Sequence, residues 1–223
     1  LGEIVMPAYE RKIPTTMSTQ HPDNARLPAW CNGDIIEGDS EVYEAYFAYS
    51  QLDCNEVMWD SEGKDVDTRV VRKLLEKYSD FFAEHELGKD IFLTYRVPNP
   101  KIEGAERKIF FETLCNIAVT YDVATEFYGR EVKPIFEVIL PYTTSSKEIL
   151  WLYNYYKRAV AHIDETPLDN DGVCIKDWIG CLKPKAIEVI PLIEDYDSLL
   201  VADKVVEPYI RAIKPKYLRV FIA

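Results

Sequence analysis

Positive charge is scarce in this sequence. Its 223 residues carry 26 Lys and Arg against 38 Asp and Glu, a formal net charge of -12. The long-range field therefore repels phosphate backbones and anionic membranes, so no nucleic-acid partner is expected and an anionic substrate needs local cations. No apolar run approaches the roughly 18 residues of a membrane span. The segment from Leu1 to Arg11 also lacks the basic-then-apolar order of a signal peptide, which leaves the cytoplasm as the expected location and no membrane as a partner. The five cysteines, Cys31, Cys54, Cys115, Cys174 and Cys181, include no C-x-x-C pair, so neither a disulfide framework nor a zinc site is indicated and reduced, packed thiols are expected. There is no glycine-rich phosphate loop, internal repeat or low-complexity segment.

What the sequence does have is a 48% hydrophobic composition, enough for a sizeable core in one domain over 1–223. From about residue 53, short β-branched and aromatic runs alternate with segments of helical period, the pattern of a parallel sheet with helical crossovers. Strands are expected at Asn55–Trp59, Asp90–Val97, Val132–Leu140, Ala186–Leu192 and Tyr217–Ile222. Helices are expected at Val66–His85, Glu103–Tyr128, Ser145–His162 and Asp197–Ile213, with a further helix at Glu41–Leu52 before the first strand. Ser145 stands three residues before Glu148, the spacing of a reciprocal helix cap, and Gly129 follows the second helix as a terminator.

The stretch 164–185 breaks the period with Pro167, Asp169, Asn170, Asp171, Gly172, Gly180 and Pro184. It reads as an irregular excursion with a short buried turn at Trp178. About five parallel strands with intervening helices, preceded by an N-terminal loop and helix, make an α/β fold: part of a (β/α) TIM-type barrel, or else a small open doubly wound sheet. The apolar run Arg219–Ala223 closes the sequence with no helix to cover it, which favours the partial barrel, and Leu1 in place of an initiating Met agrees with a partial sequence.

In parallel β/α folds the loops leaving the carboxyl ends of the strands converge on one face. Asp60 follows the first expected strand, Arg96 lies near the end of the second, Glu137 late in the third, and Glu194 just after the fourth. A cation with several carboxylates suits a divalent metal and an anionic substrate, since hard oxygen ligands suit Mg2+ or Mn2+. Solvated loop charges would look the same. Before the sheet lies a polar stretch, Met17 to Asn24, with neither helical nor strand period. Its His21 is either an ordinary turn residue or a titratable group of a site.

The run Ser18-Thr19-Gln20-His21-Pro22-Asp23-Asn24 resembles the signature of the archaeal-type phosphoenolpyruvate carboxylases, whose bacterial and plant relatives carry a Thr-Ala-His-Pro-Thr version. Met58-Trp59-Asp60-Ser61-Glu62-Gly63-Lys64 is similar to that family's segment after the first barrel strand. Thr94-Tyr95-Arg96-Val97-Pro98-Asn99-Pro100 resembles its anion-binding segment, and Pro191-Leu192-Ile193-Glu194-Asp195 its metal-ligand segment. The resemblance runs from about Ile13 to Ala223 and implies carboxylation of phosphoenolpyruvate with bicarbonate to oxaloacetate and phosphate, with Mg2+ or Mn2+ as cofactor. By the same resemblance His21 assists carboxylation, Arg96 binds phosphate or bicarbonate, Glu194 is a metal ligand, and Asp60, Lys64 and Glu137 are further substrate-binding candidates. It also implies a homo-oligomer, a tetramer in the family, and places the second metal-binding aspartate beyond Ala223. A catalytically incomplete half-barrel, or another metal-dependent enolate lyase or aldolase, remains the alternative.

Overall fold

The computed structural model describes residues 12–22, 25–31, 33–61 and 67–223. Its sheet has six parallel strands in chain order: β1 (Met17–Ser18), β2 (Glu56–Asp60), β3 (Phe92–Arg96), β4 (Glu137–Leu140), β5 (Glu188–Ile193) and β6 (Phe221–Ile222). In register, Ser18 faces Val57, Trp59 faces Tyr95, Arg96 faces Ile139, Ile139 faces Ile190 and Ile193 faces Ile222. The strand at Met17–Ser18 overturns the expectation that this stretch has no regular structure. Two residues are too short to show alternation, and they are held by their neighbour: the Thr15 hydroxyl donates to Asn55 Oδ1 at 2.7 Å and the Glu56 N–H to the Thr16 carbonyl at 3.0 Å.

Parallel neighbours need crossovers, and helices supply them. These are α1 (Asp39–Gln51), α2 (Val70–Lys77), α3 (Ser79–Glu84), α4 (Arg107–Tyr128), α5 (Ser146–Tyr155), α6 (Ile175–Ile179), α7 (Tyr196–Leu200) and α8 (Ala202–Ile213). A π-helical turn, Tyr156–Ala161, continues α5. The expected Val66–His85 helix is interrupted at Tyr78, where φ -125 and ψ 39 leave the helical region, and Val66 lies outside the described residues. Gly129 does close α4, at φ 65. The Ser145 hydroxyl makes no cap bond; Glu148 instead turns Oε2 to the Thr144 N–H at 3.0 Å and Oε1 to Lys101 Nζ at 2.6 Å.

Alternation along the strands sorts side chains onto two faces. Val57, Trp59, Leu93, Tyr95, Val138, Leu140 and Val189 pack with the helices in one core that includes Leu74, Leu114, Ile149 and Tyr209. α2 gives this core Val70, Val71, Leu74 and Leu75, all at 1% exposure or less; each such side chain contributes about 1.5–3 kcal/mol of burial. The opposite face carries Glu56, Thr94 and Glu137, and there the sheet reveals its curvature. Arg219, just before β6, donates from Nη1 to Glu56 Oε2 at 2.7 Å and from Nη2 to Glu137 Oε2 at 2.7 Å. In a flat sheet β2 and β6, four strand spacings apart, would be separated by about 19 Å, more than the two side chains together span. The sheet is therefore open and strongly curled, with this face turned inward.

The excursion at 164–185 is tied at its root, where fully buried Asp164 accepts the Leu182 N–H at 2.8 Å and Lys185 Nζ at 2.6 Å. The expected buried turn does not form: Trp178 sits in α6 at 81% exposure, on a one-turn helix with no buried residue. At Gly88, with φ +89, a Cβ would stand 2.1 Å from the Lys133 carbonyl oxygen, so the approach to β3 passes the approach to β4 at backbone contact.

Candidate active site

Side-chain or main-chain groups at the carboxyl ends of β1 to β5 are hydrogen-bonded to a neighbour along the rim. After β1, Gln20 Oε1 accepts the N–H of Asp60 at 2.6 Å. Asp60, the last residue of β2, receives Arg96 Nη1 at 3.1 and 3.2 Å on its two oxygens. The Ser61 hydroxyl and N–H both donate to the Arg96 carbonyl, at 2.6 and 3.0 Å. Beyond β3, Asn99 Nδ2 donates to the Pro141 carbonyl at 2.9 Å, and beyond β4 the Tyr142 N–H donates to Glu194 Oε2 at 2.6 Å. The result is a hydrogen-bonded collar from β1 to β5.

Within it the Arg96 side chain is 11% exposed and that of Asp60 32%. The planar guanidinium fork of Arg96 suits carboxylate or phosphate. His21 is half-buried; its N–H donates to Glu44 Oε1 at 3.1 Å, and its Nε2 is enclosed without a hydrogen-bond partner among the described residues. Buried polar atoms are nearly always satisfied, so an unmet imidazole nitrogen at a strand mouth marks a place for a ligand or water. Glu194 is half-buried, while its neighbour Asp195 has a structural task, accepting the Ser198 N–H at 2.8 Å to start α7. The Ser198 side chain, and after it this N–H, hold the Asp195 carboxyl below its ordinary value.

Not all the expected residues meet here. Glu137 was expected late in its strand, but the run Val132–Phe136 is only an approach to the sheet and Glu137 opens β4. It lies in the amino-end layer with Glu56 and Arg219, which along β2 is about 13 Å from the level of Asp60. Lys64 lies outside the described residues, as do Asp23 and Asn24 of the His21 segment. Gln20, Asn99, Glu41 and Glu44 are site residues whose roles no local sequence pattern marks. Gln20 and Asn99 stood in quoted motifs, but only the tertiary pairing exposes their roles.

Glu41 and Glu44 occupy the first turns of α1, a position where acidic residues usually serve the helix dipole alone. Here they point at the β1 loop, Glu41 Oε1 accepting Gln20 Nε2 at 3.3 Å. Burial pushes the Glu41 carboxyl up to about 7, helped by the nearby Asp67 and Glu44 carboxylates. Glu44 is also raised, by burial. Among the described residues no group of three or more His, Cys, Asp or Glu side chains forms a metal cage, and no helix is long and apolar enough to cross a membrane.

A profile of the family described as "Phosphoenolpyruvate carboxylase" matches residues 13–223. The chain is 60% identical over 213 residues to "Phosphoenolpyruvate carboxylase" of Metallosphaera sedula, covering 96% of the chain and 42% of that protein. It is 56% identical over 213 residues to the protein of the same name from Caldivirga maquilingensis, covering 96% of the chain and 41% of that relative. Against the one from Methanothermobacter thermautotrophicus it is 47% identical over 212 residues, 95% of the chain and 44% of that relative. The chain thus spans less than half the length of these curated relatives.

Proposed function

The chain belongs to the phosphoenolpyruvate carboxylase family, and from that premise we propose that it carries part of the active site that joins bicarbonate to phosphoenolpyruvate, giving oxaloacetate and phosphate. The observation that supports this most is the collar: the His21 loop, the Asp60–Arg96 pair and Glu194 share one rim of the sheet. In this reading a bicarbonate oxygen attacks the phosphorus, the bond from phosphorus to the enol oxygen breaks, and carboxyphosphate and the enolate of pyruvate form. Arg96 holds the phosphate or a carboxylate through its fork, with Asp60 fixing the guanidinium plane. His21 takes the carboxyl proton of carboxyphosphate as carbon dioxide leaves phosphate, and the enolate carbon then attacks that carbon dioxide. A rim closed from water in the full-length protein would keep the enolate from protonation.

Magnesium or manganese at this rim would act as a Lewis acid toward phosphate and enolate oxygens. Of its ligands the described residues offer one, Glu194, whose Oε2 already accepts the Tyr142 N–H. That donor set falls short of a site, so completing it takes carboxylates from outside the described residues, and no step above depends on it. Lys64 remains a substrate-binding candidate, whereas the enclosure of Glu137 with Arg219 favours a structural task for it. The curled sheet supports a TIM-type barrel, because β2, β4 and the approach to β6 contribute Glu56, Glu137 and Arg219 to a single inner layer, the alternate-strand layering of that fold. A cytoplasmic homotetramer completes the reading.

The test is oxaloacetate release from phosphoenolpyruvate by the full-length protein containing this chain, with magnesium, with and without bicarbonate, coupled to malate dehydrogenase. Strict dependence on bicarbonate is expected. In the His21→Asn variant phosphoenolpyruvate binding should survive while oxaloacetate formation collapses. Turnover that ignores bicarbonate would instead point to an enolate lyase or aldolase, and equal losses of binding and turnover in His21→Asn would remove His21 from the carboxylation step.

A further inference from the structure

The collar is anchored from outside the sheet by α1. Gln20 Nε2 donates to Glu41 Oε1 at 3.3 Å while Gln20 Oε1 accepts the Asp60 N–H at 2.6 Å, so this one side chain bridges the helix to the end of β2. One residue on, the His21 N–H donates to Glu44 Oε1 at 3.1 Å. Glu41 and Glu44 are three residues apart, neighbours on one helix face, and both are half-buried. The helix beneath them is rigidly seated. Val42, Ala45, Ala48 and Tyr49 are buried, Tyr49 donates its hydroxyl to the Phe92 carbonyl at 2.7 Å, and Tyr46 stacks on Tyr78 at 3.8 Å between ring centroids.

Partly burying two carboxylates costs free energy that an apolar pair would avoid, and the bonds they accept come from the two residues that present His21 and the end of β2. We propose that Glu41 and Glu44 are positioning residues: Glu44 holds the main chain of His21, and Glu41 acts through Gln20 on Asp60, so that α1 sets the distance between the histidine and the Asp60–Arg96 pair. The proposal rests on the functional reading above for the chemistry that His21 and Arg96 perform. Its geometric core is independent of that chemistry.

What matters at residue 44 is an acceptor oxygen at the right place, because the donor is a neutral backbone N–H. A glutamine keeps that oxygen and an alanine removes it. In the full-length protein containing this chain, Glu44→Ala is therefore expected to lower kcat for oxaloacetate formation by about 10–100-fold, the penalty of a small misplacement of a reacting group. KM for phosphoenolpyruvate, which Arg96 governs, should stay within about threefold, and the thermal midpoint should stay near wild type. Glu44→Gln should recover most of kcat. Gln20→Ala should reproduce the kcat loss through Asp60.

A second readout does not need turnover. The backbone amide of His21, followed by hydrogen exchange, should exchange at least tenfold faster in Glu44→Ala and at the wild-type rate in Glu44→Gln. A kcat within twofold of wild type in folded Glu44→Ala, or a glutamine variant as impaired as the alanine one, overturns the positioning role. Unchanged His21 exchange in Glu44→Ala overturns the geometry itself. If the wild-type protein makes no oxaloacetate yet the exchange pattern holds, the functional reading fails and the positioning contact stands.

Discussion

Arg219 and Arg96 both meet carboxylates on the inner face of the same sheet, at opposite ends and under different enclosure. At the amino end the side chains of Arg219, Glu56 and Glu137 are 10%, 2% and 3% exposed. Arg219 gives Nη1 and Nη2 to Glu56 and Nη2 to Glu137, and the Thr94 hydroxyl gives Glu56 a further bond. Burial pushes the guanidinium toward losing its proton, but the two carboxylates outweigh it and hold it above its ordinary value. At the carboxyl end Arg96 is equally deep, yet Asp60 is 32% exposed; each end also encloses one nitrogen without a partner among the described residues, Arg219 Nε and His21 Nε2. One ion cluster is enclosed, and the other opens on solvent.

The largest expected effect comes from breaking the closed end. Arg219→Met in the full-length protein strands two buried carboxylates and should cost about 3–5 kcal/mol of unfolding free energy in denaturant titration. Adding Glu56→Gln and Glu137→Gln should return a large share of that loss. A cost under about 1 kcal/mol, the scale of an exposed pair, would mean that the amino-end cluster is not enclosed.

The same substitution at the open end should separate stability from function. Arg96→Met is expected to move unfolding free energy by at most about 2 kcal/mol. Oxaloacetate formation should nonetheless fall by about 10²–10³-fold, the loss typical of one oriented donor. Should both arginine variants lose stability alike with activity intact, the contrast between the two ends would disappear.

A smaller effect concerns proton linkage beside the open end. The Glu41 carboxyl keeps its proton up to about pH 7 in the folded chain, whereas unfolding returns it to an ordinary value of 4.5. Between these values the folded state binds more protons, so this group's contribution makes stability fall as pH rises through that window. Glu41→Gln should flatten the slope of unfolding midpoint against pH between 4.5 and 7, leaving only the share that the raised Glu44 contributes. An unchanged slope would remove Glu41 as its source. The smallest effect belongs to Trp178, away from both ends: at 81% exposure, Trp178→Ser should stay within about 0.5 kcal/mol of wild type.

Much of this was legible locally. Hydrophobic runs placed β2, β3, β5 and β6 within a few residues, and helical periods placed the long crossovers. Asp60, Arg96 and Glu194 were found because strand ends show in the composition of a single segment. The failures have a common cause. Met17–Ser18 is a strand only because β2 supplies its partner groups, and Glu137 opens β4 because register against Glu188 decides where pairing begins. The turn at Trp178 was expected to be buried from its side chain alone, although burial depends on what lies beneath it. Gln20, Glu41 and Glu44 carry no local mark, since their polar partners are supplied by other elements.

By itself, then, the sequence determined the alternation of strands and helices, the family and three rim residues, all written in segments short enough to carry their own period or motif. The tertiary structure alone decided which end of the sheet each charge occupies and how Glu56, Arg219 and Glu137 come to share one layer. The reason is curvature: strand twist accumulates across the sheet, so contacts such as Arg219 to Glu56, 163 positions apart, depend on the intervening strands together rather than on any one of them.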